Sequence, residues 1–458
     1  MFIFPFQNLT DYELQNEIFT VACIPENGEL KKLLAGALAG NDISDIEFKY
    51  YTPDQLNSLR NRCSNINLSI FHINIRSLNA NHDKLCAVLC CCSFKFKVIV
   101  LSEVWCTNIV FLSNILDDYE FFYDLPIHSK AGGVGIFVKR ECNPIVRNDF
   151  KTSNNECSTF EHIWIEITIK RIKYYIGSYY HHPNTSIKEF NENLETTMDK
   201  IKNKKRVIFC GDMNINLNNY NIESNTTEFV NSIISYNFLP YTLLPTRITS
   251  YSATIIDHVY CNINFSGDSY CKAGLLCSDI SDHCGNFMFI GSKTIRSTVS
   301  SDRPFIRLFT KRNINKFGSS LMNEDWSNLY LSSNPNLAFG IFSQKLNYHF
   351  ESNFKITRAS RKSMKYNKPW ITSSIKMCIN KKCAMYQKWV ASLQPEDETC
   401  YKNYSKILRK IINKSEAAYY VKMCDTKFQS IKTVWKNLNK ICNFNINRRN
   451  RLQIKKLN

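Results

Sequence analysis

The chain has 458 residues, 44% of them hydrophobic and 21% charged, with a formal net charge of +18. That length supports two or three domains, one of them large enough to bury a substantial core. No apolar run approaches the roughly 18 residues of a bilayer-spanning helix, and the opening MFIFPFQNLTDYEL lacks the basic region and small-residue cleavage site of a secretory signal. The nineteen cysteines are odd in number and irregularly spaced, with no CxxC and an adjacent Cys90-Cys91-Cys92 triplet. This pattern disfavours a disulfide scaffold or zinc module and points to reduced thiols in an intracellular protein.

The charge is unevenly placed. Residues 301–458 hold 31 Lys and Arg against 9 Asp and Glu, a net +22, whereas residues 1–300 hold 27 against 31, a net −4. A nearly neutral body with a basic tail implies a polyanionic partner, nucleic acid before membrane, since the tail has no continuous apolar face. A solvated helical region biased to Lys and Asn is the plainer alternative.

Residues 1–66 read as a leader without assigned function. Within them Leu33–Gly40 is too short to span a bilayer, and Thr52-Pro53 opens a short helix. From Leu68, LSIFHINIRSLN alternates as a half-buried strand with Asn74 near its end. A helix over His82–Cys92 precedes the apolar strand Val98–Leu101, which stops at Glu103. Gly132, Gly133 and Gly135 lead into a further strand. HIWIEITIKRIKYYIGSYYHHPN gives two alternating strands about Lys170-Arg171, ending near Tyr180 and Pro183, and Ser186 starts a helix. VIFCGDMN, Val207–Asn214, reads as a buried strand broken by Gly211, with Asp212 and Asn214 at its mouth. A helix over Thr226–Tyr236, a strand carrying Asp257-His258 and a last strand after Ser281-Asp282-His283 complete residues 67–293. Acids and amides recurring at strand ends indicate a layered α/β body with one polar rim. Residues 294–458 shift to helical periodicity over Leu337–Phe350, Ile371–Val390, Tyr401–Cys424 and Phe428–Cys442.

Asn74, Glu103, Tyr180, Asp212, Asn214, Asp257, Asp282 and His283 together make the inventory of a metal-assisted phosphodiesterase. An anionic ester requires charge neutralisation, an oriented water and support for the leaving oxygen. Hard divalent ions prefer carboxylate and amide oxygens, which Glu103 and Asp282 supply with Asn74 in support. Asp212 suits the positioning or deprotonation of water, and His283 suits donation to phosphate with Asp257 fixing its tautomer. His258 points away from the site on this reading, and His181 and His182 are ordinary loop histidines.

The motifs HINIRSL, LSEVW, GGVGIFV, YYHHP, GDMN, IDHVY and SDH, from about Leu68 to Ile290, resemble the endonuclease/exonuclease/phosphatase superfamily. The likeness is greatest to the apurinic-like endonuclease domain of non-LTR retrotransposons. The resemblance implies an α/β, four-layered αββα sandwich followed by a basic all-α tail. It also implies Mg²⁺-dependent hydrolysis, with Mn²⁺ as a substitute. Carried over by motif, Glu103 is the metal ligand with Asn74 beside it and Asp282 nearby. Tyr180 and Asn214 contact phosphate or leaving group, Asp212 positions the water, and Asp257 orients His283. Arg76 stands where repair-type relatives carry an acid, which weakens an abasic-site reading. Tyr180-His181-His182-Pro183 departs from the YRPP-like loop of related elements. Residues 305–445, with Asp325-Trp326-Ser327 and Lys368–Thr372, resemble the linker preceding reverse transcriptase, so the chain is expected to be a truncated copy.

Two function classes follow. The first is a DNA-nicking endonuclease acting on chromosomal DNA, intracellular and nuclear, with element RNA as a further partner. The second is a nucleic-acid-binding fragment with vestigial catalysis. Lys381, Lys382, Arg409, Lys410, Arg448 and Arg449 are the expected nucleic-acid contacts in the tail. RNA, phosphoinositide or sphingomyelin phosphodiesterases would share the metal site.

Overall fold

The computed structural model describes residues 48–105, 115–126, 131–151, 159–263, 265, 269–292, 305–358, 368–425 and 430–441. Leu33–Gly40, Arg448 and Arg449 lie outside the described residues. Two compact units divide the chain: residues 296–365 form one, and residues 1–295 with 366–458 form the other.

The larger unit is built on two sheets. Its first strands are β1 (Tyr50–Tyr51), β2 (Ile66–Asn74), β3 (Val98–Ser102), β4 (Tyr119–Asp124), β5 (Val134–Lys139) and β6 (Ile145–Val146). There follow β7 (Phe160–Ile169), β8 (Ile172–His181), β9 (Val207–Asp212), β10 (Leu239–Pro240) and the small pair β11 (Arg247–Ile248) and β12 (Ala253–Thr254). The last are β13 (Asp257–Cys261), β14 (Ser269–Leu276) and β15 (Gly285–Ser292). A seven-stranded sheet runs β1-β14-β15-β2-β3-β5-β4 and a six-stranded sheet runs β10-β13-β9-β8-β7-β6. The two face each other along β2 and β3 against β8 and β9, and along β5 and β4 against β8 and β7. Helices α1 (Pro53–Arg62), α2 (Leu78–Cys91), α3 (Ile187–Ile201) and α4 (Ser224–Ser235) add their apolar faces to the same core. The body is an α/β sandwich of mixed sheets and helices.

Local chemistry accounts for the boundaries. Thr52 caps α1 through a reciprocal box with Gln55, and Pro53 occupies the first turn where its missing N–H costs nothing. Ser186 caps α3 by accepting from Glu189 N. Lys170 and Arg171 both take positive φ, 50° and 67°, as a two-residue hairpin turn demands.

Three expectations need correction. β2 is not half-buried: every residue but Asn67 is buried, because one face meets the second sheet and the other lies under helix. Gly211 makes no turn; it lies within β9 opposite Tyr179, and a Cβ there would stand 1.8 Å from Tyr179 O. Only glycine permits that approach of β8 and β9. The boundaries at 66 and 294 also differ, since β1 and α1 join the body through the parallel β1–β14 pairing. Beyond residue 365, Ile375, Ile379, Cys383, Tyr386, Trp389, Val390 and Leu408 are buried in the same core as the sheets.

The smaller unit carries a two-stranded sheet, β16 (Phe305–Arg307) with β17 (Ile356–Arg358), and helices α5 (Lys311–Met322), α6 (Ser327–Tyr330) and α7 (Pro335–Asn353). Phe317, Phe350 and Phe354 cluster, and Arg307 grips Glu351 at 2.7 Å. In the larger unit α8 (Ser373–Ser392), α9 (Pro395–Cys424) and α10 (Ile431–Ile441) follow. Among the described residues no helix is long and apolar enough to cross a membrane.

Burial presses four histidines toward the neutral form: His72, His181 and His258 to about 4 and His162 to about 3. Each folded value lies below the unfolded one near 6.5, so the stability they contribute is full above that pH and is lost as pH falls toward 4. We expect the melting temperature to drop across pH 6.5–4 and His258→Gln to flatten the drop; a pH-independent melt would contradict this.

Candidate active site

The residues singled out by sequence gather at one end of the sandwich. In the six-stranded sheet, Glu161 on β7, Tyr180 on β8, Asp212 on β9 and Asp257 on β13 are successive register partners, forming one row across four strands. Residues paired in register share a face, and this row faces the ends of β2 and β3. There Asn74 closes β2 and Glu103 follows β3.

Asn74 joins the two sheets. Fully buried, it donates through Nδ2 to Glu103 Oε1 and to Asp212 Oδ2, each at 2.7 Å, while Oδ1 accepts from Arg76 N at 3.1 Å. The amide thus spaces two carboxylates that would otherwise repel. Its oxygen accepts one hydrogen bond and keeps a second lone pair. Glu103 has φ 54°, a left-handed conformation uncommon outside glycine. It is held there by Ser77 N donating to Glu103 O at 2.8 Å and by Val104 N and Trp105 N donating to the carbonyls of Gly133 and Gly132. Gly132 and Gly133 themselves have φ 115° and 83°.

Asp212 is nearly inaccessible. Its Oδ1 accepts Asn214 N at 3.0 Å, and its own N–H donates to Ser102 Oγ at 3.1 Å. Burial first, then the neighbouring Asp257, raises its carboxyl to about 7. Asp257 Oδ2 bonds His283 Nδ1 at 2.7 Å. Although burial opposes the charge, Asp257 raises the imidazole to about 9, and His283 in turn lowers the Asp257 carboxyl. His283 is therefore an imidazolium with its Nε2 edge toward Asp282, 4.0 Å away. Asp282 is braced by Arg76 at 2.8 Å and Arg247 at 2.9 Å. Against the cost of burial, His283 and then these guanidinium groups lower it to about 2. Burial, then Glu103 and Asp212, pushes the Tyr180 phenol well up, so it stays protonated as a donor. Asn214 spends one amide hydrogen on His181 O at 2.7 Å, leaving one for another acceptor.

The structure thus brings together Asn74, Glu103, Tyr180, Asp212, Asn214, Asp257, Asp282 and His283. The histidines set aside divide. His258 turns away to the carbonyls of Ile215 and Ile255, and His181 is tied to Met213 O and Thr185. His182 is not an idle loop residue: its Nε2 meets buried Glu161 Oε1 at 2.7 Å, and Glu161 Oε2 accepts Gly133 N. Sequence reading missed this pair, yet Glu161 shares the strand parity of Ile163, Ile165 and Ile167, where a carboxylate stands out. In the tail, Arg409 and Lys410 are exposed on α9. Lys382 is not: it is 3% exposed and ion-paired with Asp279, so its expected nucleic-acid contact is corrected. It lies on the apolar stripe of α8, three residues after Ile379.

The donor set suits a hard divalent cation. Glu103, Asp212 and Asp282 offer carboxylate oxygens, and Asp257 Oδ1 is buried without a hydrogen-bond partner among the described residues. Asp212, Asp257 and His283 also present atoms within 4.8 Å of one another. There the imidazole nitrogen is already taken by Asp257, so that trio reads first as a proton-handling relay.

A family model described as endonuclease-reverse transcriptase matches residues 174–286. That segment is about a quarter of the 458-residue chain. The matched segment contains Tyr180, Asp212, Asn214, Asp257, Asp282 and His283, and the geometry adds Asn74 and Glu103 from outside it. Similar solved structures include the endonuclease domain of TRAS1, a telomere-specific non-LTR retrotransposon, at 15% identity and TM-score 0.40, covering 50% of this chain and 99% of that one. An AP endonuclease from Archaeoglobus fulgidus has 14% identity and TM-score 0.37, covering 48% and 98%. D. rerio TDP2 complexed with single-strand DNA product has 16% identity and TM-score 0.37, covering 49% and 99%. No curated protein matches the chain in sequence.

Replacing Asn74 by Ala removes the donor shared by Glu103 and Asp212. The expected cost is about 2–4 kcal/mol, read as a lower urea midpoint at constant slope. An unchanged midpoint would contradict the bridging role.

Proposed function

We propose that the chain is a Mg²⁺-dependent endonuclease that hydrolyses DNA phosphodiester bonds, nicking one strand to leave a 3′-hydroxyl able to prime reverse transcription. One observation carries the reading: Asn74 ties Glu103 to Asp212 while Asp257, register partner of Asp212, holds His283 beside them. An oxygen-rich pocket, a carboxyl tuned near neutrality and a charged imidazole are what hydrolysis of an anionic ester needs. The endonuclease-reverse transcriptase match over residues 174–286 agrees with that chemistry.

On this reading Glu103 and Asp282 hold the cation, which neutralises phosphate charge and polarises its oxygen when bound. Asp212 orients the water and takes its proton, a task suited to a carboxyl raised to about 7. His283 donates to a non-bridging oxygen, its charge balanced by Asp257. Tyr180 and the remaining Asn214 hydrogen donate to the phosphate and the leaving oxygen. Mn²⁺ would serve in place of Mg²⁺, and action on chromosomal DNA would place the protein in the nucleus.

The test is conversion of supercoiled plasmid to open circles with Mg²⁺. Glu103→Ala or Asp212→Ala should slow it by roughly 10²–10⁴-fold, and cutting unaffected by either change would overturn the assignment.

The net +22 of residues 301–458 favours a second reading, a binding fragment without catalysis. Under it, DNA affinity falls steeply with salt while no divalent ion produces nicks. Salt-insensitive binding would rule that reading out.

A further inference from the structure

The loop between β14 and β15, residues 277–284, carries Asp282 and His283 and is gripped from outside both sheets. Helix α8 packs on α1 and α2, and from it Lys382 reaches Asp279, an ion pair with the ammonium 4% exposed and the carboxylate 21%. One turn further along α8, the Tyr386 hydroxyl meets Cys284 Sγ at 3.4 Å. These two contacts bracket the Asp282-His283 dipeptide. Lys84 of α2 lines the same cavity as Asp279 and Lys382 and donates to Ile280 O at 3.2 Å. Within the loop Ser281 Oγ donates to Asn74 O at 2.5 Å and accepts His283 N at 3.2 Å. A displacement at Asp279 would therefore be passed to both the Asn74 bridge and the His283 backbone. Helix α8 is itself fixed by its packing: Gln387 Nε2 donates to Tyr50 O at 3.0 Å and to Gln55 Oε1 at 2.9 Å, and Trp389 stacks on Tyr401 of α9 at 6.0 Å.

A buried ammonium is costly to keep unless its partner is well placed, so the pair specifies one position for the loop more than it adds stability. We propose that Lys382 is a positioning residue for the nuclease site: α8 braces the loop that presents Asp282 and His283. The functional unit then extends through α8 and does not end at β15. The inference rests on the endonuclease reading for its activity arm alone.

The experiment uses the full chain. Lys382→Met should lower kcat for plasmid nicking about tenfold, the scale set by small misplacements of catalytic groups, with KM little changed. Lys382→Arg, which keeps the charge, should recover most of it. The double change Asp279→Asn with Lys382→Met removes both members of the pair together, so it should melt closer to the unaltered protein than Lys382→Met alone while kcat stays low. Nicking by that double variant at the unaltered rate would overturn the proposal. If the unaltered protein does not nick, the endonuclease reading fails, and the brace is judged by NMR of labelled histidine. His283 ring resonances should shift in the double variant, and unshifted resonances would refute the brace.

Discussion

The site depends on one amide. Asn74 ends a strand of the seven-stranded sheet, yet its Nδ2 is shared between Glu103 of that sheet and Asp212 of the other. Two carboxylates that close, with little water, repel strongly unless a donor stands between them. The amide supplies that donor without adding charge. It leaves lone pairs on both acids free for a cation. A charged bridge such as lysine would hold the sheets together but cancel the charge that draws a metal. The sandwich stacks its sheets face to face, and the bridge fixes how their ends meet.

Around that bridge the sheet register does the placing. Four consecutive strands contribute Glu161, Tyr180, Asp212 and Asp257 to one row, so their spacing is inherited from ladder hydrogen bonds and not from loop conformation. Each end of the row carries a histidine on its carboxylate, His182 on Glu161 and His283 on Asp257. Left-handed backbone at Glu103, Arg76 and Asn214 collects at the same end. Such strain persists only where surrounding contacts over-determine it, and the Gly132-Gly133 carbonyls and the turn at Ser77 provide them.

Much of this was legible in the sequence because strand period and strand ends leave local marks. The alternation around Lys170-Arg171, the Ser186 cap and the short run Val98–Leu101 each state their structure within a few residues. What stayed hidden depended on pairings distant in sequence. Asn74 reads as a polar strand end, and nothing local announces that it meets Asp212. Gly211 looks like a turn residue until the Tyr179 backbone is seen passing beside it. Lys382 looks like one more surface lysine in a basic tail, although its place on the Ile375, Ile379, Cys383, Tyr386 stripe marked it for burial. Arg76, read from sequence as a departure from repair enzymes, becomes one of two guanidinium braces on Asp282.

The central claim is that acids from two sheets converge on a single cation-binding pocket. Anomalous diffraction from crystals soaked in Mn²⁺ tests it most directly. The account predicts one strong peak within about 2.2 Å of a Glu103 carboxylate oxygen, a usual metal–oxygen distance for small divalent ions. Peaks confined to surface carboxylates, with none in the pocket bounded by Glu103, Asp212 and His283, would contradict it.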